Sequence, residues 1–208
     1  MCAIFLACVW ALGFAQSTES RVEKNDFISR GNPTLTAVVD PKLKFVGSVP
    51  FSINNSVAGT RFIFLDANER RQVRRMFIVQ QEGFLPGSSE IYQYPITKPF
   101  VLGGVAYQHS VILFDSDEEV RENPGKETDV TDQFLHSLGY TLEPELVMTR
   151  FARPADSEHK HEIIFFCFDA LSSYGHKLKD FPDNSQSPEK EDLKQKADAA
   201  CRSSFTIQ

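Results

Sequence analysis

The chain is poor in tryptophan and has no surplus of positive charge. Its single Trp, Trp10, lies in an apolar stretch at the N-terminus, whereas Phe accounts for 18 of the 208 residues. Phe fills cores; sugar-binding platforms usually want Trp or Tyr with a polar tip, so the composition disfavours a carbohydrate-binding module. The formal net charge of -6 argues against nucleic acid as a partner, because phosphate binding needs a basic face. No apolar run reaches the ~20 residues needed to cross a bilayer, so no transmembrane span is expected. Also missing are a Gly-rich phosphate loop, a Gly-x-Ser-x-Gly elbow, a His-Glu-x-x-His pair and a Cys-x-x-Cys. Asp115-Ser116-Asp117-Glu118-Glu119 opens like a calcium loop, but Val120 stands where the sharp turn requires Gly.

The N-terminus carries the clearest signal. Ala3 to Ala15 is nearly continuous apolar sequence, ending in the small-x-small pattern Gly13-Phe14-Ala15 and followed by polar Gln16-Ser17-Thr18. Although no Lys or Arg precedes the run, the pattern predicts a signal peptide over residues 1–15 and a secreted or periplasmic mature protein. Cleavage would remove Cys2 and Cys8. The remaining pair, Cys167 and Cys201, has one possible pairing, and an oxidising compartment favours a disulfide between them.

Residues 16–41 are mixed and polar, with Gly31-Asn32-Pro33 as a breaker, and read as a poorly packed lead-in. Residues 42–208 read as one domain. Leu43, Phe45, Val49, Phe51 and Ile53 alternate at period two, and Pro50 marks an edge or bulged strand. Two hairpins follow the same logic: Thr60–Asp66 with Val73–Glu82, and Leu146–Phe151 with His161–Ala170. Val105–Phe114 is a further strand, and the acidic stretch 115–125 reads as a solvated loop. The hairpins share a Thr-Arg-Phe tripeptide, at residues 60–62 and 149–151.

Thr128–Tyr140 switches to helical period, with Val130, Phe134, Leu135 and Leu138 on one stripe. A C-terminal helix over 188–205 has Ser187 as cap and Pro188 in its first turn, and its apolar face aims Cys201 at the sheet. These elements predict an α+β fold: a mostly antiparallel sheet of about six strands with two helices, the C-terminal one packed on the sheet.

Candidate chemistry centres on a few side chains. His109 shares strand parity with Tyr107, Val105, Val111 and Leu113, so His109 and Tyr107 are first choices to line any pocket. Arg61, Arg70, Arg71, Arg74 and Arg75 form a basic cluster on one hairpin. Arg75 and Arg150, beside apolar runs, suit a carboxylate or phosphate through their forked donors. His159 and His161, two apart at a strand start, have the spacing that presents two imidazoles to zinc or copper. Strand parity also puts Asp169 on the face of His161.

These features point first to an exported domain that binds a small or lipidic ligand in an apolar pocket between sheet and helices. A hydrolytic or metal-assisted enzyme using His109, His161 and Asp169 is the rival reading, and requires them close together. A surface partner-binding protein is the third, and requires a broad exposed apolar patch.

Overall fold

The computed structural model describes residues 20–94, 99–182 and 187–208. The segment 1–15, expected from its sequence to be a signal peptide, lies outside them, with Cys2 and Cys8. The described residues form an α+β fold with twelve strands, mostly antiparallel in two sheets, and three α-helices; the expected six strands and two helices undercount it.

The first three strands lie where a poorly packed lead-in was expected: β1 (Ser20–Glu23), β2 (Asp26–Ser29) and β3 (Leu35–Val39). Alternation explains the difference, because Leu35, Ala37 and Val39 at period two are all buried, together with Phe27. Asn25, at positive φ in the β1–β2 turn, fastens this unit to the next strand by accepting from Phe45 N and donating to the Leu43 carbonyl.

The long sheet supplies the frame. Its strands are β4 (Lys44–Ile53), β5 (Val57–Ala67), β6 (Gln72–Phe84), β7 (Phe100–Leu102), β8 (Val105–Asp115), β10 (Glu145–Pro154) and β11 (His161–Ala170), in the order β4-β5-β6-β11-β10-β8-β7. The two-residue β9 (Thr141–Leu142) pairs in parallel with β6. Both expected hairpins are present, and they meet at the centre through β6 and β11. Their layers explain why His161–Ala170 lacks alternation: both faces are covered, so all but the first residue is buried.

One face of the long sheet carries Phe62, Phe64, Phe77, Val79, Tyr107, Phe151, Ile163 and Phe165. It is covered by a short sheet, β1-β2-β3-β12, and by α3 (Pro188–Arg202). The last strand β12 (Phe205–Ile207) stands where the C-terminal helix was expected to continue, and Phe205 reaches the core from it, stacking on Phe77 at 4.6 Å. Ser187 caps α3 by accepting from Lys190 N, and the helix buries Leu193, Ala197 and Cys201. Cys201 is disulfide-bonded to Cys167 of β11, with the Cα atoms 5.6 Å apart.

The opposite face carries Ile63, Leu65, Met76, Ile78, Ile164, Phe166 and Phe168 beneath α2 (Glu127–Ser137), which buries Leu135. The expected loop after β8 instead begins with the short α1 (Ser116–Glu122). Asp115 caps it by accepting from Glu118 N, and the acidic residues of the first turn suit the positive end of a helix. On β4 a bulge between Phe45 and Gly47 breaks the anticipated single-face alternation. Phe45 therefore meets Phe64 on one side of the sheet, while Val49 joins the core on the other.

Candidate functional site

On the α2 side, the row of cross-strand neighbours Gly59, Glu82 and Glu162 runs over β5, β6 and β11. The next row toward the sheet centre holds Arg61, Gln80 and Ile164. Strand parity puts these polar side chains on the same face as Ile63, Ile78 and Phe166, so the fold buries them. Glu82 is 6% exposed, Glu162 4% and Arg61 4%.

Charged groups in such a place need partners, and here they form one network. Arg61 donates from Nε to Gln80 Oε1 at 2.6 Å, and Gln80 Nε2 donates to Glu82. The other guanidinium end of Arg61 donates to the Glu127 carbonyl and to Thr131 Oγ1, both at 2.9 Å, and so ties β5 to the start of α2. Tyr92 donates its hydroxyl to Glu82 Oε1 at 3.0 Å, and Tyr94 donates to Glu162. Both tyrosines come from residues 85–94, which lie outside any helix or strand and cross the end of the sheet. Arg150 of β10 donates to the Tyr94 hydroxyl at 2.9 Å and stands 4.0 Å from Glu162 Oε2.

Electrostatics single out the carboxylate pair. Burial pushes the Glu162 carboxyl up to about 8, reinforced by the hydrogen bond and negative charge of Glu82; Tyr94 and Arg150 pull the other way only in part. Near neutral pH, Glu162 therefore keeps its proton. Burial, then the charges of Glu82 and Glu162, also pushes the Tyr92 hydroxyl up, keeping it a donor. Burial pulls the Arg61 guanidinium down to about 10, which leaves it charged at neutral pH.

The cluster borders an open cleft of about 380 Å³ between the β4–β5 edge of the sheet and the α1–α2 region, lined by Pro50, Phe51, Ala58, Gly59, Thr60 and Val130 among others. Gly59 makes the junction. A Cβ there would stand 2.5 Å from Phe51 Cζ and 2.7 Å from Glu82 Cβ, so only glycine lets the Phe51 ring and the Glu82 stem approach together. Arg61 also lies 5.8 Å from the Phe51 ring centroid.

The sequence-derived candidates fall in several places. Arg61 and Arg150 join the cluster. Tyr107 is fully buried on the opposite face, its hydroxyl without a hydrogen-bond partner and the Arg153 guanidinium 5.5 Å from its ring centroid. His109 stacks on Phe151 and pairs with Asp198 of α3 at 2.9 Å. Arg75 forms a forked pair with Asp169, which also accepts from Tyr174, beside a separate polar cleft. His161 pairs with Asp156, and His159 occupies a positive-φ turn position. No group of three or more His, Cys, Asp or Glu suited to a metal occurs among the described residues. His161 and Asp169 do share a face, but eight residues of strand separate them by roughly 26 Å. The five hairpin arginines also part company: Arg61 is buried, Arg70 is exposed, Arg71 donates to the Leu138 carbonyl, Arg74 pairs with Asp66, and Arg75 pairs with Asp169.

Sequence reasoning missed Glu82, Glu162, Gln80, Tyr92 and Tyr94 as a group. A signal for three of them was present: Gln80 and Glu82 share parity with Met76 and Ile78, and Glu162 with Ile164 and Phe166, which places carboxylates on an apolar face. The two Thr-Arg-Phe segments also take related positions. Each lies on the outer strand of its hairpin, with Phe on the short-sheet side and Arg on the side of the cluster.

No known protein family, curated protein or solved structure matches the chain.

Proposed function

We propose that this chain is an exported binding domain for a small molecule with an apolar body and a polar head. The body lies in the cleft beside Phe51, Gly59 and Val130, and the head reaches the buried network at Glu82 and Glu162. The observation that carries the reading is the join between the two: Gly59 lines the open cleft and is the direct cross-strand neighbour of Glu82. Ligand sites combine an apolar wall with a few fixed polar groups in this way. Export is supported by the apolar N-terminal stretch with its small-x-small ending and by the Cys167–Cys201 disulfide. The helices present are also consistent with a non-spanning chain, since none among the described residues is long and apolar enough to cross a membrane.

Two rival readings find less support. The residues required for a His–acid hydrolase are dispersed, each with its own partner. Among the large exposed apolar residues, Phe45 and Ile91 come from separate segments, and Val101, Val105 and Ile112 lie on the β7–β8 hairpin, with Val105 and Ile112 of opposite strand parity.

Titration with the neutral apolar dye Nile red tests the binding reading. Saturable uptake at one site, abolished when Val130→Trp fills the cleft, is expected. Uptake that is unsaturable, or unchanged in Val130→Trp, would remove it.

A further inference from the structure

Two hairpin turns in this fold are built alike and use their asparagines differently. Lys24-Asn25 joins β1 to β2, and Asn54-Asn55 opens the turn between β4 and β5; φ is positive at all four residues, from 49° at Asn54 to 78° at Asn25. A turn with positive φ at both central positions favours Asn, whose short polar side chain tolerates that conformation. In the first turn the Asn25 side chain is committed to Phe45 N and the Leu43 carbonyl. In the second, Asn54 and Asn55 are both exposed.

The turn accounts for the two asparagines but not for the residue after them. The Ser56 N–H donates to the Ile53 carbonyl at 2.9 Å and closes the turn. The Ser56 hydroxyl donates to the same carbonyl at 3.2 Å, duplicating a bond that the backbone already makes. With that hydroxyl, Asn54-Asn55-Ser56 is an Asn-x-Ser acceptor for an N-linked glycan. The other Asn-x-Ser/Thr triplet in the chain, Asn32-Pro33-Thr34, has the middle proline that blocks such use. The placement suits a bulky hydrated group, because β4 is the outermost strand of the long sheet and the turn lies at that strand's end.

We infer that Asn54 carries an N-linked glycan. The inference rests on the export part of the reading above, not on the ligand cleft, and it places the chain in a secretory lumen that supplies a lipid-pyrophosphate-linked oligosaccharide. In the transfer, Asn54 Nδ2 bonds to the anomeric carbon of the first sugar and gives up one proton. The sugar's bond to the pyrophosphate oxygen breaks, and the lipid pyrophosphate leaves with that electron pair; nothing is oxidised or reduced. The folded chain holds the product without rearrangement, because Asn54 is exposed at the tip of the turn.

Mass spectrometry of the chain recovered outside the cells that make it decides the matter. Its mass is expected to exceed that of the polypeptide by one glycan. Peptide-N-glycosidase should remove the glycan and convert Asn54 to aspartate, with label from heavy-oxygen water at that residue alone. Two variants made in the same cells fix the assignment. Ser56→Ala keeps Asn54 and the backbone bond that closes the turn, so it should fold as the parent does and lose the whole glycan mass. Ser56→Thr should keep it. A secreted parent whose Asn54 is bare would overturn the inference while leaving export intact, and so would a glycan that persists in Ser56→Ala. A chain retained inside the cells with residues 1–15 attached would remove the inference and the export reading together, whereas Nile red uptake tests the cleft independently of both.

Discussion

Glu82 and Glu162 stand directly opposite each other on the two central strands, β6 and β11, and both are almost completely buried. Like charges opposite one another destabilise a sheet, and buried ones more so. The fold tolerates the pair because Gln80, Tyr92 and Tyr94 donate to it, Arg150 stands beside it, and one proton is retained.

That retained proton makes stability depend on pH with a definite sign. Glu162 titrates at about 8 in the folded chain against an ordinary value of 4.5. Between those values the folded chain holds more protons than the unfolded one, so stability falls as pH rises, by at most about 1.4 kcal/mol per pH unit. The contribution is fully present below 4.5 and gone above about 8. Urea denaturation across this window should show the parent losing stability relative to Glu162→Gln. Parallel profiles for the two proteins would contradict the assignment.

Arg61 is the strut between the sheet and α2. Replacing it with Met keeps the apolar stem but strands Gln80 Oε1 and takes the charged donor from Thr131 Oγ1 and the Glu127 carbonyl, which keep only their bond to each other. A loss of about 3–5 kcal/mol is expected, the scale for breaking a buried charged network from one side. Arg61→Lys should recover only part of it, because an ammonium cannot reproduce the fork. Equilibrium unfolding of both variants provides the check; an undiminished Arg61→Met protein would show that the strut carries no load.

Gly59→Ala should separate packing from charge. The added methyl meets Phe51 Cζ, the Gln81 carbonyl at 2.7 Å and Glu82 Cβ, two of which cannot move without shifting strand β6. Overpacking of this kind costs about 1–3 kcal/mol. Dye uptake in the cleft should fall alongside it, since the methyl pushes Phe51 into the opening. Unchanged stability would mean that the strands separate there at no cost.

The disulfide closes a loop with a sequence separation of 34 residues. Chain-entropy arguments give it about 3–4 kcal/mol, lost in a Cys167→Ala, Cys201→Ala double variant. Thiol titration of the chain without residues 1–15, denatured without reductant, should find no free thiol. Two free thiols would show that the bond does not form.

Much of this architecture was legible in the sequence because burial writes a period into the chain. The central hairpins, the helix around Phe134 and Leu135, the capped C-terminal helix and the Cys167–Cys201 bond all followed from patterning or elimination. The short sheet was harder. Leu35, Ala37 and Val39 alternate, but the strands are brief and sit among breakers, so local composition outweighed period. A bulge at Phe45–Gly47 defeated a parity argument on β4, since an inserted residue reverses every side chain beyond it.

The site was less legible for a related reason. Gln80, Glu82 and Glu162 lie near strand ends, where a polar residue ordinarily marks the approach of solvent. Only cross-strand register shows that the ends coincide under Tyr92 and Tyr94. Those tyrosines belong to a stretch with no period at all. His109 and Tyr107 attracted attention through parity, but that parity faces the packed layer of the short sheet and α3, where Phe151, Phe165 and Asp198 surround them.

The proton retained by Glu162 can be watched directly. Side-chain carboxyl carbons of ¹³C-labelled protein, followed by NMR through a pH titration, report each glutamate in turn. One carboxyl is predicted to titrate near 8 and to vanish from the spectrum of Glu162→Gln. Every glutamate titrating near the ordinary 4.5 would contradict the retained proton.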